Sequence, residues 1–297
     1  MKIAILGAES THAKTFASQL AGKDGSKLFP DVELVGVYAD KALPDSDAGV
    51  QAILKNSACQ YITDQYDKFV EQVDGVMITS RHGSRHLEYA SPYLEKGIPV
   101  WIDKPICSSI KDAVELVRIA GKYDTPVCGG SSLVFSKEIK EAASFVKENR
   151  ETIRGGHVTA PIHMDSEYDG FWFYAQHAIQ MMLEVFGMEV RKVAASRGGK
   201  FVQAVYEYDD FSVSVYFGTG YTMTLYKDNY HAEPMKISTG GSEKELEEFY
   251  HIVKDGHGNI SYNDWILPVF LIDATIKAYE QNKLIDVDES MRHYENS

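Results

Sequence analysis

Val100-Trp101-Ile102-Asp103-Lys104-Pro105 is an apolar run closed by an acid, a lysine and a proline. Val100 and Ile102 suit a strand covered on both faces, where the sequence reads as continuously apolar rather than alternating. Pro105 has no N–H to give to a ladder and biases Lys104 away from helix, so the strand must stop here. Open parallel sheets collect ligands at the carboxyl ends of their strands. That position makes Lys104 a candidate for chemistry, with Asp103 beside it. The plain alternative is a lysine at the start of a surface loop.

Upstream, apolar runs and amphipathic stretches alternate. Residues 3–6 are apolar and end at Gly7; Ser10 or Thr11 can cap a helix that carries Ala13, Phe16, Ala17 and Leu20 on one face. Residues 32–37 form a second apolar run, ending at Tyr38-Ala39-Asp40. Strand, glycine turn, helix, strand, acid is the layout of a dinucleotide fold. Gly7, Ala8, Glu9, Ser10, Thr11 and His12 form the expected pyrophosphate turn, because a helix N-terminus offers N–H groups and partial positive charge. Asp40 stands where a carboxylate takes the ribose 2′-hydroxyl and repels a 2′-phosphate, which favours NAD over NADP. Lys41 directly after it works against that preference. The glycine pattern also departs from G-x-G-x-x-G, with Glu9 and His12 at its second and third glycines. Either Glu9 turns outward or cofactor binding is weakened or lost; an ordinary βαβ unit without nucleotide is the alternative.

The alternation continues with helices expected over 47–56, 66–72, 84–96 and 109–123, and strands over 59–63, 75–78, 99–102 and 125–129. Thr79, Ser80 and His82 then fall at a strand's carboxyl end, where they are expected to line the cofactor with Asp103 and Lys104. His82 and His86 are four apart, a helix-face spacing for metal, but no acids accompany them and no metal is expected. The three cysteines, Cys59, Cys107 and Cys128, have no metal or redox spacing, so reduced thiols in a cytoplasmic protein are expected.

A helix is expected over 136–149, and after Gly155-Gly156 the character changes. Strand-like runs at 158–162, 190–196, 201–208, 212–217 and 222–226 alternate in polarity and are separated by short turns, the pattern of an antiparallel sheet with one face free. Among them lies Asp169-Gly170-Phe171-Trp172-Phe173-Tyr174-Ala175-Gln176-His177, followed by a helix over 178–186. The aromatic density beside a histidine suggests a pocket wall, with Trp172, Tyr174 and Gln176 as substrate contacts; core packing is the bland alternative. His163, Asp165 and Glu167 alternate as on one strand face. Two more helices are expected over 242–255 and 264–281. The reading gives an α/β N-terminal domain over 1–130 and an α+β domain with a large, open, mostly antiparallel sheet over 131–297.

The formal net charge of −13 argues against nucleic acid and anionic membrane surfaces, and no apolar run is long enough to span a bilayer. The N-terminal apolar run lacks a cleavage pattern and reads as a first strand rather than a signal peptide.

The Gly7 turn, Asp103-Lys104-Pro105, His86 in the preceding helix and the His177 helix start together resemble the glucose–fructose oxidoreductase / inositol dehydrogenase (Gfo/Idh/MocA) family. That family shows E-K-P after a buried strand and D-x-G-x-H-x-x-D further on. The resemblance spans almost the whole chain. It implies a Rossmann domain that binds NAD or NADP, a second domain whose sheet often makes a homodimer or homotetramer, and oxidation or reduction of a hydroxyl carbon on sugars or polyols. Lys104 matches the motif lysine, Asp103 replaces its glutamate, and His177 matches the histidine. Phe173, Ala175 and Gln180 stand where the pattern has acid, glycine and acid.

The expected chemistry is reversible hydride transfer between a secondary alcohol carbon and nicotinamide, with Lys104 and His177 as catalytic groups. A histidine's ordinary pKa of about 6.5 lets it take a hydroxyl proton near neutrality. With the acid at 180 absent, Tyr174 and Asp169 are candidates to take its place beside His177, a choice that sequence does not make. Two alternatives stand beside the dehydrogenase: a non-redox enzyme of this fold that uses bound NAD, as in glycoside cleavage by relatives, and a cofactor-sensing protein without catalysis.

Overall fold

Runs such as Ile3-Ala4-Ile5-Leu6 and Val76-Met77-Ile78 have no polar face, so water must be excluded from both sides of the strands they form. In the computed structural model, which describes residues 1–228, 230–231, 234–258 and 260–287, helices provide that cover. The elements up to residue 130 are β1 (Lys2–Leu6), α1 (Thr11–Leu20), β2 (Glu33–Tyr38), α2 (Ser46–Asn56), β3 (Ile62–Thr63), β4 (Gly75–Ile78), α3 (His86–Leu94), β5 (Val100–Asp103), α4 (Ile110–Lys122) and β6 (Val127–Gly130). The six strands pair in parallel in the order β3-β2-β1-β4-β5-β6. This is the doubly wound Rossmann arrangement, with its switch point between β1 and β4.

The expected helix over 66–72 is absent. Lys68, Val70 and Gln72 instead donate to the carbonyls of Gln65, Asp67 and Phe69, three residues back, so the segment is a run of turns. Of these residues only Phe69 is buried, too little apolar surface to hold a helix against the sheet.

The rest of the chain forms α5 (Lys137–Glu148), β7 (Ile153–Pro161), α6 (Trp172–Phe186), β8 (Lys192–Gly198), β9 (Phe201–Glu207), β10 (Ser212–Gly218), β11 (Thr222–Lys227), β12 (Tyr230–His231), β13 (Met235–Lys236), α7 (Ser242–Asp255), α8 (Tyr262–Gln281) and β14 (Ile285–Asp286). The second sheet runs β12-β11-β7-β10-β9-β8-β14, with β13 paired to β11. It is antiparallel except where β7 meets β10. One face carries Val158, Val202, Ala204, Tyr206, Val213, Val215 and Met223, which share a core with Met181, Met182 and Phe186 of α6 and Leu271 and Ile272 of α8. The other face is polar in part: His157 Nδ1 lies 2.7 Å from Ser214 Oγ, and Thr159 Oγ1 lies 2.8 Å from Thr222 Oγ1.

The chain divides into two compact units. The first comprises Met1–Cys107, Asp112–Gly130 and Ser242–Trp265; the second comprises Ser108–Lys111, Ser131–Gly241 and the chain from Ile266 onward. The sequence reading kept all of 131–297 in the second domain, whereas α7 packs with the first. Its apolar face, Leu246, Phe249 and Ile252, joins the core that holds Phe16 and Trp101. Gly75 makes room for it, since a Cβ there would lie 2.7 Å from Val253 Cγ2 and 2.9 Å from Phe249 Cζ. All three cysteines are buried and unpaired.

Candidate functional site

The glycine turn of the first unit is held from two sides. Gly7 adopts φ +111°, and a Cβ on it would overlap the Ser80 backbone, so this position needs glycine for both reasons. Across the turn, Gly49 of α2 lies so close to the Ala8 carbonyl that a side chain there would collide with it. Ser10 caps α1 by accepting from the His12 amide at 3.1 Å, and Thr11 is exposed in the first turn.

Glu9 neither turns outward nor occupies the surface of the turn. It is 4% exposed, and its Oε1 accepts from the Ser80 hydroxyl at 2.6 Å and the Arg81 amide at 3.1 Å. Burying a carboxylate is costly unless donors compensate it, and these two donors supply part of that compensation. The loop after β4 therefore folds away the misplaced charge of the glycine pattern. The same loop uses its other side chains internally. Thr79 Oγ1 donates to the carbonyls of Gly7 at 2.9 Å and Leu6 at 3.2 Å, and the Ser80 hydroxyl also accepts from the His82 amide at 3.4 Å. Thr79 and Ser80 are fully buried, so they build the turn rather than line its surface.

At the end of β2, Asp40 Oδ1 accepts from the Ala42 amide at 2.9 Å and Oδ2 from the Tyr89 hydroxyl at 2.9 Å. The carboxylate stays partly exposed and keeps further lone pairs for a diol. Lys41, the residue that counted against NAD, is drawn off to Asp64 at 2.6 Å. The turn, the capped helix and Asp40 thus fit a dinucleotide without a 2′-phosphate.

At the end of β5, Asp103 and Lys104 are buried, at 3% and 9% exposed. Asp103 Oδ1 accepts from the Lys104 amide at 2.7 Å, and Oδ2 lies 2.8 Å from His12 Nδ1. Burial pushes the Lys104 amine down to about 8; Asp103 opposes that shift and Arg81 adds to it. His12 is raised, chiefly by the charge of Asp103. The Lys104–Pro105 peptide is cis. His86 is fully buried, with Nε2 at 2.9 Å from the Ser80 carbonyl and Nδ1 at 3.0 Å from that of Ile106, so it ties the β4 loop to the turn after Lys104. Cys107 is fully buried and burial pushes its thiol up, so it is no nucleophile.

In the second unit, Ser131, a residue outside the sequence-derived set, has its Oγ 2.6 Å from His177 Nδ1. Ser131 Oγ also accepts from the Leu133 amide at 3.3 Å, and its own amide donates to Gln180 Oε1 at 2.6 Å. Gln180 accepts as well from Gln176 Nε2 at 3.0 Å. Gln176 is therefore fully buried in this network rather than presented to a ligand. Asp169 accepts from Ser108 Oγ at 2.7 Å. Tyr174 lies edge-on to His177 with centroids 5.3 Å apart, and Tyr221, absent from the sequence-derived set, is also edge-on to it at 5.7 Å. Trp172 packs against the core. His163, Asp165 and Glu167 belong to the loop between β7 and α6, not to a strand. Ser131 sits in Gly129-Gly130-Ser131-Ser132, where only its place after a strand marks it.

Residues 1–130 match the model of the GFO_IDH_MocA oxidoreductase family, NAD-binding Rossmann fold. Among solved structures, the chain is similar to a probable dehydrogenase from Thermotoga maritima, with TM-score 0.79 and 15% identity, covering 98% of this chain and 100% of that one. It is also similar to scyllo-inositol dehydrogenase from Lactobacillus casei with bound NAD(H) and scyllo-inositol, with TM-score 0.76 and 14% identity, over 97% and 99% of the two chains. For myo-inositol 2-dehydrogenase from Lactobacillus plantarum the values are 0.77 and 14%, over 96% and 99%. At these identities the likeness is one of fold. No curated protein matches.

Proposed function

From the match of residues 1–130 to the GFO_IDH_MocA oxidoreductase family model, with its NAD-binding Rossmann fold, we propose that the chain is an NAD-dependent dehydrogenase of that family acting on a secondary alcohol of a sugar or polyol. The observation that carries the reading is the inward Glu9. The one charge that would repel pyrophosphate is bonded to Ser80 and Arg81, while Asp40 remains at the ribose position. The Gly7 turn and α1 hold the pyrophosphate, and Asp40 favours NAD over NADP. A bound nicotinamide supplies hydride transfer.

The protein's part is to manage the alcohol proton. Lys104 holds the substrate oxygen: as ammonium it donates to that oxygen, and above a pH of about 8 its free amine accepts the proton. In the second unit His177, with Ser131 at its Nδ1 and the rings of Tyr174 and Tyr221 edge-on to it, is the other candidate for handling an alcohol proton. The free face of the second sheet is the proposed subunit contact of a homodimer or homotetramer. Buried, unpaired cysteines accord with the cytoplasm.

The test is fluorescence titration with NADH and NADPH, followed by a panel of inositols, sugars and sugar acids monitored at the NADH absorbance band. The reading expects NADH to bind more tightly than NADPH and at least one polyol to reduce NAD. No binding of either nucleotide at millimolar concentration overturns it. A second reading, a cofactor-sensing protein, draws on Ser131 and Gln180 where a catalytic histidine would have carboxylates. It expects tight NADH binding with no turnover on any substrate.

A further inference from the structure

His12 stands where the dinucleotide pattern has its third glycine, and neither the cap on α1 nor the proposed chemistry uses its side chain. It sits in the first turn of α1 with its Nδ1 2.8 Å from Asp103 Oδ2. Asp103 has little water to stabilise it, so its charge must be balanced by neighbours. Two cations compete for that role: His12, and the amine of Lys104 next in the chain. Charged groups near them include Arg81 after β4, itself 3.1 Å from Asp45, and Glu245 on α7, which in turn feels Glu248. Glu245 is 1% exposed, and burial, reinforced by Asp103, raises it well above the usual carboxylate range. That shift works against a second negative charge beside Asp103.

We propose that His12 is a positioning residue that occupies the charge of Asp103, so that the His12–Asp103 pair, rather than Asp103 alone, decides when the Lys104 amine releases its proton. A buried carboxylate left to a neighbouring lysine holds that lysine protonated. A carboxylate already engaged by an imidazole does so less. The two titrations are coupled: the charge of Lys104 lowers His12, and the same repulsion acts in return on Lys104. The side chain of His12 is 27% exposed against 5% for Asp103, so His12 is also the member of the pair that exchanges protons with water. A glycine at this position, as in the usual pattern, gives up this control.

The inference rests on the proposed dehydrogenase for its catalytic meaning only, and its test needs neither cofactor nor substrate. The Lys104 amine is titrated in the whole protein by pH-dependent competitive labelling, read by mass spectrometry. In His12→Ala the Lys104 midpoint rises by about one unit, as expected when an opposite charge is released toward a close neighbour. In His12→Arg, a permanent cation, it stays at or below the wild-type midpoint. An unchanged midpoint in a folded His12→Ala protein overturns the proposal. Should that variant fail to fold, Lys104→Met gives the reciprocal reading by NMR: the His12 ring must titrate higher, and an unmoved His12 overturns the proposal equally. A shifted Lys104 midpoint in a protein that binds no NADH leaves the inference standing and removes the dehydrogenase. NADH binding with an unshifted midpoint does the opposite.

Discussion

Lys104 is the residue with the clearest energetic signature. Its amine titrates near 8 in the fold against 10.5 in an open chain, so between those values the unfolded state binds the extra proton. Folding stability from this group therefore rises as pH climbs from about 8 to 10.5, and below 8 the buried charge costs on the order of 3 kcal/mol. Lys104→Met should be more stable than wild type at pH 7, with the difference shrinking through that window in urea titrations. If the variant is less stable at pH 7, the amine is better compensated than its burial implies. For His177, Ser131→Ala removes a hydroxyl 2.6 Å from Nδ1. A loss of about tenfold in kcat/KM is expected, equal to one ordinary hydrogen bond, with a small change in melting temperature. Steady-state kinetics on whichever polyol proves active checks it. The two sites were not equally legible in sequence. Lys104 was announced by the apolar strand and the proline that ends it. Ser131 was not, because a serine after two glycines has the composition of any turn, and only the fold brings it to a helix that starts some forty residues later. The inward turn of Glu9 was equally hidden, since its donors come from the end of β4, 71 residues away.

At the scale of elements, the periodicities predict strands and helices closely wherever a stripe is long. The strands β9 and β10 and the helices α5 and α7 differ from the sequence reading by no more than a residue at either end. The failure over residues 66–72 is a matter of length: seven residues with one core contact cannot offset the cost of helix nucleation. What periodicity cannot give is a destination. The apolar stripe of α7 is plain in the sequence, but its partner, Gly75 with the Trp101 core, lies well over a hundred residues upstream. Phe249→Ala should therefore destabilise the first unit by about 3–5 kcal/mol, the usual cost of deleting a buried aromatic side chain. Hydrogen exchange checks where the loss falls: amides of β1, β4 and β5 should lose protection while those of β9 and β10 keep theirs. Loss confined to the second sheet would mean that α7 contributes nothing to the first core.

For the whole molecule, a division into two compact units, each with buried apolar residues of its own, means that stability need not be one number. A ligand that binds only the first unit stabilises what it touches, by about 2.7 kcal/mol at a hundred times its Kd. NADH at that concentration should slow exchange at the Gly7 turn and at β1 and β4. Exchange in β8–β10 should be unaffected, as read by mass spectrometry. Slowing confined to the second sheet would place the nucleotide elsewhere. The net charge of −13 belongs to this scale as well: it is a property of the whole chain and says nothing of the site. The return of Ser242–Trp265 to the first unit also has a consequence for how the protein is made. A ribosome adding about 5–20 residues per second finishes residue 130 roughly 7–27 s before it finishes residue 265. During that interval the nascent first unit lacks the helix that covers Gly75 and packs beside Trp101. Completion of its core therefore waits until most of the second unit has been synthesised.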